Sequence, residues 1–318
     1  MKPTVMPAAR GNAPQVALIT GASSGLGKAL AEEVAGRGRM NALILTARRS
    51  ERLELLASEL RQIQPGLQTD FVVADLADPR GCETVARFAL TRHGGVDVLI
   101  NNAGLGLPTL FSECHTDRLA EQIAVNFRAP LLLTRLLLPS LIERKGIVIN
   151  IGSAITSVAN SALGAYGATK AGLAYWNDAL RRELWSHGVR ICLVEPGPFA
   201  TEFMTAVRDR SAEGQPLHPV HEMPRDWMSA EVRDVARRTI DLLDRPRRRI
   251  SVPRRLVWPL RLMGALFQLI PALGDQVVTR GFGVERNASH SSSPAHDGLL
   301  PAAAGDAEAP PLVGESPT

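Results

Sequence analysis

The chain has 318 residues, of which 45% are hydrophobic and 21% charged, a composition that can bury a sizeable core and excludes a disordered chain. The formal net charge of +4 reflects 36 lysines and arginines against 32 acids, and the densest basic cluster is confined to residues 245–255, which excludes a nucleic-acid footprint spread over a domain face. Cys82, Cys114 and Cys192 are odd in number and show no Cys/His ligand spacing, so neither a metal site nor a disulfide framework is expected.

MKPTVMPAARGNAPQ contains no apolar stretch of the secretory type, so residues 1–13 read as a polar leader and the protein as cytoplasmic. From residue 14 onward, short β-branched runs alternate with longer amphipathic ones: VALIT, KALAEEVAGRG, ALILTA, SERLELLASELRQI, TDFVVADL, RGCETVARFALTRHG and VDVLINNAG. The alternation continues through TDRLAEQIAVNFRAPLLLTRLLLPSLI, GIVINIGS, GAYGATKAG and VRICLVEPG. Strand and helix by turns predict an α/β domain whose parallel sheet is covered on both faces, and the unbroken apolar strands fit burial on both sides. Residues 198–228 lose this rhythm after a late strand, the place where an open α/β sheet keeps its ligand, and read as a substrate lid. A last strand is expected at RISV, 249–252, with an apolar helical extension over 256–284 and a disordered tail over 285–318.

The turn between the first strand and first helix is TGASSGLG, Thr20–Gly27. Gly21, Gly25 and Gly27 let the backbone turn tightly and approach a pyrophosphate, while free N–H groups at the helix start attract anions. The second strand ends in LTARRS. Ala47 stands where an NAD site offers a carboxylate to the ribose, and Arg48 and Arg49 follow, which suits the 2′-phosphate of NADP(H). Arg48 is the stronger candidate of the two. In GAYGATKAG, Tyr166 and Lys170 are one helical turn apart among small neighbours that leave room for a ligand.

With these residues in hand the chain resembles the short-chain dehydrogenase/reductase family over residues 14–255, and the resemblance implies a Rossmann-like doubly wound parallel sheet as a single domain. TGASSGLG is similar to the family's cofactor turn, which implies cofactor contacts at Gly21, Ser23, Ser24, Gly25, Leu26 and Gly27. VADL, with Asp75 and Leu76, is similar to the adenine-contacting segment, and NNAG, with Asn102, Ala103 and Gly104, to the fourth-strand motif. PGPFAT resembles the nicotinamide contact and implies roles for Pro196, Gly197 and Thr201. Asn126, Ser153, Tyr166 and Lys170 match the catalytic tetrad in order and spacing.

Reduction of a ketone needs hydride at carbon and a proton at oxygen. A free tyrosine, with a pKa of about 10, is a reluctant donor. A lysine ammonium about 4 Å away contributes up to roughly 4 kcal/mol at an effective dielectric near 20, on the order of three pKa units before desolvation opposes it. By the resemblance, Ser153 would bond the carbonyl oxygen, Lys170 would also hold the nicotinamide ribose, and Asn126 would support a water relay.

The apolar stretch 256–273 is interrupted by Pro259, Pro271, Arg261 and Gln268, and is a poor candidate for a spanning helix. It reads two ways: as a peripheral membrane contact with arginines at anionic headgroups, or as a helix packed over the substrate cleft. The expected activity is NADPH-dependent reduction of a hydrophobic carbonyl compound, lipid-like or steroid-like, or oxidation of the matching alcohol. An NAD-preferring alcohol dehydrogenase and a non-catalytic NADP-binding sensor or membrane scaffold are the alternatives. A homodimer or homotetramer is implied by the resemblance, and a cytoplasmic setting at the inner face of a membrane fits the extension.

Overall fold

The computed structural model describes residues 15–106, 108–197 and 231–281. The leader, Thr201 with the lid read at 198–228, and the tail at 285–318 lie outside the described residues. In chain order the elements are β1 (Val16–Thr20), α1 (Gly25–Gly36), β2 (Ala42–Ala47), α2 (Ser50–Ile63), β3 (Gln68–Val73), α3 (Pro79–His93), β4 (Val98–Asn101) and α4 (Thr116–Ile123). They continue with α5 (Ala129–Glu143), β5 (Ile147–Ile151), α6 (Gly164–Glu183), β6 (Arg190–Pro196), α7 (Val232–Asp244), β7 (Arg249–Val252), α8 (Arg254–Leu269) and α9 (Pro271–Gly281).

The seven strands form one parallel sheet in the order β3-β2-β1-β4-β5-β6-β7, a Rossmann-like doubly wound arrangement. Register pairs Thr20 with Thr46 and Ile19 with Ile100, so the carboxyl ends of the strands meet along one edge. The strand order reverses between β1 and β4, and a crevice opens at such a switch point. Every residue of β1, β2, β4 and β5 is buried, as the apolar runs require of strands covered on both faces. One core unites that sheet with α1, α2 and α7 through Leu30, Leu56, Leu60 and Ile240; the other unites its opposite face with α3, α5 and α6 through Val85, Leu133, Leu137 and Leu180. Cys82 and Cys192 are buried in these cores and burial pushes their thiols up to about 11, so both pack as apolar residues.

The run read as a single helix from 116 to 142 departs from that expectation at its centre. Ala124–Arg128 is a π-helical turn, in which the N–H of Ala129 donates to the carbonyl of Ala124, five residues back. Pro130 supplies the cause: it has no N–H for the carbonyl of Asn126, four residues earlier, and its ring crowds that group, so the ladder shifts by one residue. This helical run, Thr116–Glu143, is long and apolar enough to cross a membrane, but its Leu133, Leu137 and Leu141 are fully buried beneath the sheet.

Candidate active site

The crevice above β1 and β4 begins with the glycine turn. Gly21 has a φ of +66°, and a Cβ there would lie 2.9 Å from the Cα of Ala103, so only glycine lets the turn close on the end of β4. At Gly27 a Cβ would lie 2.0 Å from the carbonyl oxygen of Gly21, and its absence brings the first turn of α1 directly against the loop. Thr20 ties the two strand ends together. Its hydroxyl accepts from the N–H groups of Asn102 and Ala103, each at 2.9 Å, and the Asn102 amide donates back to the Thr20 carbonyl at 2.8 Å. Leu26 is buried, whereas Ser23, Ser24 and Gly25 are only partly covered at the helix start, where backbone N–H groups attract a pyrophosphate.

The two arginines of LTARRS take different positions. Arg49 bends back over the turn and its Nη2 donates to the hydroxyls of Ser23 at 3.2 Å and Ser24 at 3.0 Å. Arg48 points toward α4 and pairs with Glu121 at 3.3 Å. The guanidinium set beside the glycine turn is therefore that of Arg49, whereas the sequence ranked Arg48 first. Asp75 is exposed and its carboxylate accepts from the N–H of Ala77 at 2.9 Å, while Leu76 is buried below it. A turn that a Cβ would fill, an adjacent arginine and a helix N-terminus together fit a dinucleotide with a phosphorylated ribose.

The tetrad residues come from three elements that converge on the carboxyl ends of β4 and β5. Asn126 is buried at the π turn, and its side chain clasps Leu105, accepting from its N–H at 2.8 Å and donating to its carbonyl at 2.7 Å. The same amide donates to the hydroxyl of Thr169 at 3.2 Å, which joins Asn126 to α6. Lys170 is 4% exposed, and its Nζ donates to the carbonyl of Ile151, the last residue of β5, at 2.8 Å. A Cβ on Gly104 would sit 3.3 Å from Asn126 Oδ1 and 3.5 Å from Lys170 Nζ, so that glycine keeps the space between them open. Ser153 follows β5 and its hydroxyl accepts from the N–H of Ile155 at 3.2 Å while bonding the Tyr166 phenol. The structure thus brings all four residues together.

The electrostatics correct one expectation. Burial pushes Tyr166 upward, and the hydrogen bond from Ser153 is what draws it back; the Lys170 ammonium, 6.0 Å from the ring centre, does not reverse the direction. Burial also pushes Lys170 down, to about 8.

The far wall of the site holds residues that the motifs did not single out. Pro196 ends β6, and the N–H of Gly197 donates to the carbonyl of Val252 at 2.8 Å, which pins that turn to β7. Glu195, buried just before it, accepts from Ser251 at 3.0 Å, pairs with Arg249 at 3.2 Å and receives Arg261 of α8. The signal was present in the sequence as an acid inside RICLVEP and a cation inside an otherwise apolar run, two groups that burial obliges to find partners. Gly264 of α8 lies flat on the segment that follows Ser153: a Cβ there would fall 1.8 Å from the carbonyl oxygen of Ser157. Of the two readings of 256–273, packing against the catalytic side is thus seen directly.

Comparison with known proteins agrees with this geometry. A hydroxysteroid dehydrogenase-like protein 1 from Gallus gallus is 34% identical over 195 residues, covering 60% of this chain and 58% of that protein's own length. A serine 3-dehydrogenase from Agrobacterium fabrum is 38% identical over 192 residues, covering 60% of this chain and 74% of the relative. Among solved structures, a short-chain dehydrogenase from Sphingobium yanoikuyae in complex with NADPH superposes with a TM-score of 0.66 at 26% identity, covering 87% of this chain and 98% of that one. The profile of the short chain dehydrogenases matches residues 15–212, the stretch that carries the glycine turn, the fourth-strand motif and all four tetrad positions. The chain belongs to that family of oxidoreductases.

Proposed function

We propose that the protein is an NADP(H)-dependent reductase of a hydrophobic carbonyl compound, lipid-like or steroid-like, or the dehydrogenase of the matching secondary alcohol. The observation that carries this reading is the convergence of Ser153, Tyr166, Lys170 and Asn126 beside a phosphate-binding turn, an arrangement that a binding module does not need. Gly21, Gly25 and Gly27 with the first turn of α1 would hold the pyrophosphate, and Arg49 with Ser23 and Ser24 the 2′-phosphate, with Arg48 nearby. Asp75 and Leu76 would border the adenine, and Asn102, Ala103, Gly104, Pro196, Gly197 and Thr201 would flank the nicotinamide end. When bound, the cofactor supplies the hydride.

The chain's own residues supply the proton. Ser153 orients the carbonyl oxygen and hydrogen-bonds the developing charge, which a preorganised donor stabilises at no reorganisation cost. Tyr166 gives its phenolic proton to that oxygen. Lys170, protonated, holds the resulting phenolate, and its own proton is replaced through the polar path that Asn126 keeps beside Gly104. Gly264 of α8 packs on the Ser157 carbonyl, four residues past Ser153, and the largely apolar composition of that helix supports an apolar substrate. A cytoplasmic enzyme at the inner face of a membrane, assembled as a homodimer or homotetramer through α5 and α6, completes the reading.

The test follows NADPH consumption by purified protein across ketones graded from short and polar to long and apolar, beside Tyr166→Phe. Turnover should rise with apolar length and drop on the order of 10²- to 10⁴-fold in the variant. Unchanged turnover in Tyr166→Phe refutes the mechanism. Tight NADPH binding with no turnover on any ketone would favour the sensor instead.

A further inference from the structure

Helix α8 has two faces. Inward, Val257, Arg261 and Gly264 meet the body of the protein, with Arg261 on the buried Glu195 and Gly264 on Ser157. Outward lies an apolar row: Trp258 is 55% exposed, Leu262 67% and Leu269 81%, with Leu266 exposed between them. At about 100° per residue these four share an arc of roughly 120° with Arg254 and Arg255, which head the helix and are exposed. The row continues onto α9 through Leu273 and Val277. Isolated exposed apolar side chains are ordinary, but a continuous row of this length is not.

The charges at its head select the occupant. Arg254 and Arg255 are exposed and form no ion pair among the described residues, whereas Arg248 and Arg249 pair with Asp178. From Arg254 to Gly281 the sequence holds one acid, Asp275, so a second copy of this face offers little to the two guanidiniums. A layer of anionic headgroups offers a matching charge for each, with the tryptophan at the interface and the leucines beneath it. The 16 residues of α8 span roughly 24 Å, a length that lies along a bilayer surface rather than through it.

We propose that the outer face of α8 and α9 docks on an anionic lipid surface. The proposal rests on the reading of a membrane-proximal reductase and names its partner. Docked this way, the Ser153 segment lies one helix diameter, about 10 Å, from the headgroups, and a lipid-like substrate need not cross bulk water to reach it.

The experiment is co-sedimentation of the full chain with vesicles of phosphatidylcholine containing phosphatidylglycerol, against vesicles of phosphatidylcholine alone. The protein should partition to the anionic vesicles and be released by high salt. Arg254→Gln/Arg255→Gln should weaken partitioning about 25-fold, about five-fold for each arginine, and Leu262→Glu/Leu266→Glu should abolish it. Quenching of tryptophan emission by brominated lipid should disappear in Trp258→Phe. NADPH binding, measured in parallel, identifies the variants that fold, and the arginine pair on the exposed surface keeps the test open if the leucine pair does not. Absence of partitioning at low salt overturns the proposal, and so does a solution dimer that dissociates in the leucine variant, because the face would then belong to a second copy. The reductase reading is judged apart, by turnover of a water-soluble ketone without vesicles.

Discussion

Replacing Glu195 by glutamine tests how the C-terminal helix is held to the site. The carboxylate is 1% exposed and takes Ser251 at 3.0 Å, Arg249 at 3.2 Å and Arg261. Glu195→Gln keeps the shape and removes the charge, leaving two guanidiniums against a neutral amide. Breaking a buried ion pair costs about 3–5 kcal/mol, and because the two arginine side chains remain partly exposed to water the lower end, about 3 kcal/mol, is expected. For a domain of this size each kcal/mol lowers Tm by about 2–4 °C, so the thermal unfolding midpoint should fall by about 6–12 °C. Arg261→Met, which leaves Arg249 in place, should cost about 1–2 kcal/mol. The double variant should cost little more than Glu195→Gln alone, since Arg249 keeps Asp178 at 3.3 Å and the methionine removes the guanidinium that loses its carboxylate, a coupling of at least about 1 kcal/mol. Purely additive losses, or a midpoint within 2 °C of the parent in Glu195→Gln, would show that the cluster does not anchor α8.

Four further outcomes are expected. Burial sets Lys170 at about 8, so the ammonium is lost as pH rises through that value and kcat/KM for carbonyl reduction should fall on the same limb; Lys170→Arg, which stays charged, should move the limb upward, and an unmoved limb assigns it to another group. The same shift has a stability sign: the unfolded chain keeps that proton to about 10.4, so stability should rise with pH between about 8 and 10 in the parent and not in Lys170→Met. Gly264→Ala would place a Cβ 1.8 Å from the Ser157 carbonyl oxygen, displacing either α8 or the segment after Ser153; kcat should drop about 10- to 100-fold while NADPH affinity stays within two-fold, and a proportional loss of both would contradict a local effect. Arg49→Ala should weaken NADPH about 10- to 100-fold and leave NADH unchanged, with a smaller effect from Arg48→Ala, as measured by the two dissociation constants; equal losses for both cofactors would remove the arginines from the phosphate site.

The doubly wound sheet was legible because β1, β2, β4 and β5 are largely apolar runs alternating with amphipathic helices, the pattern of a sheet covered on both faces. The tetrad positions were legible from motif order: Ser153 sits two residues past β5, and the four-residue spacing of Tyr166 and Lys170 puts both on one face of α6. The π turn at Asn126 was not, since its cause is a single proline inside a run whose apolar pattern continues on both sides. The different settings of Arg48 and Arg49 were not legible because neighbouring side chains leave a strand end in opposite directions, and only the positions of Glu121 and Ser24 decide which bends over the turn. The direction of the Tyr166 shift was misread for a related reason: spacing shows that a lysine is near, but burial, which outweighs it, is a property of the assembled site.

The strand order has a consequence for synthesis of the chain. β1 is complete at Thr20, yet one of its two neighbours, β4, begins only at Val98, and the N–H of Val16 waits for the carboxylate of Asp97. Counted from the end of β2 at Ala47, a ribosome working at roughly 5–20 residues per second leaves about 3–10 s in which β1 can pair with β2 alone. During that interval a largely apolar strand presents an open backbone edge, the condition under which nascent chains associate with one another or are captured by chaperones. The crevice that would later receive the cofactor lies, in the growing chain, at a gap that stays open until β4 is made.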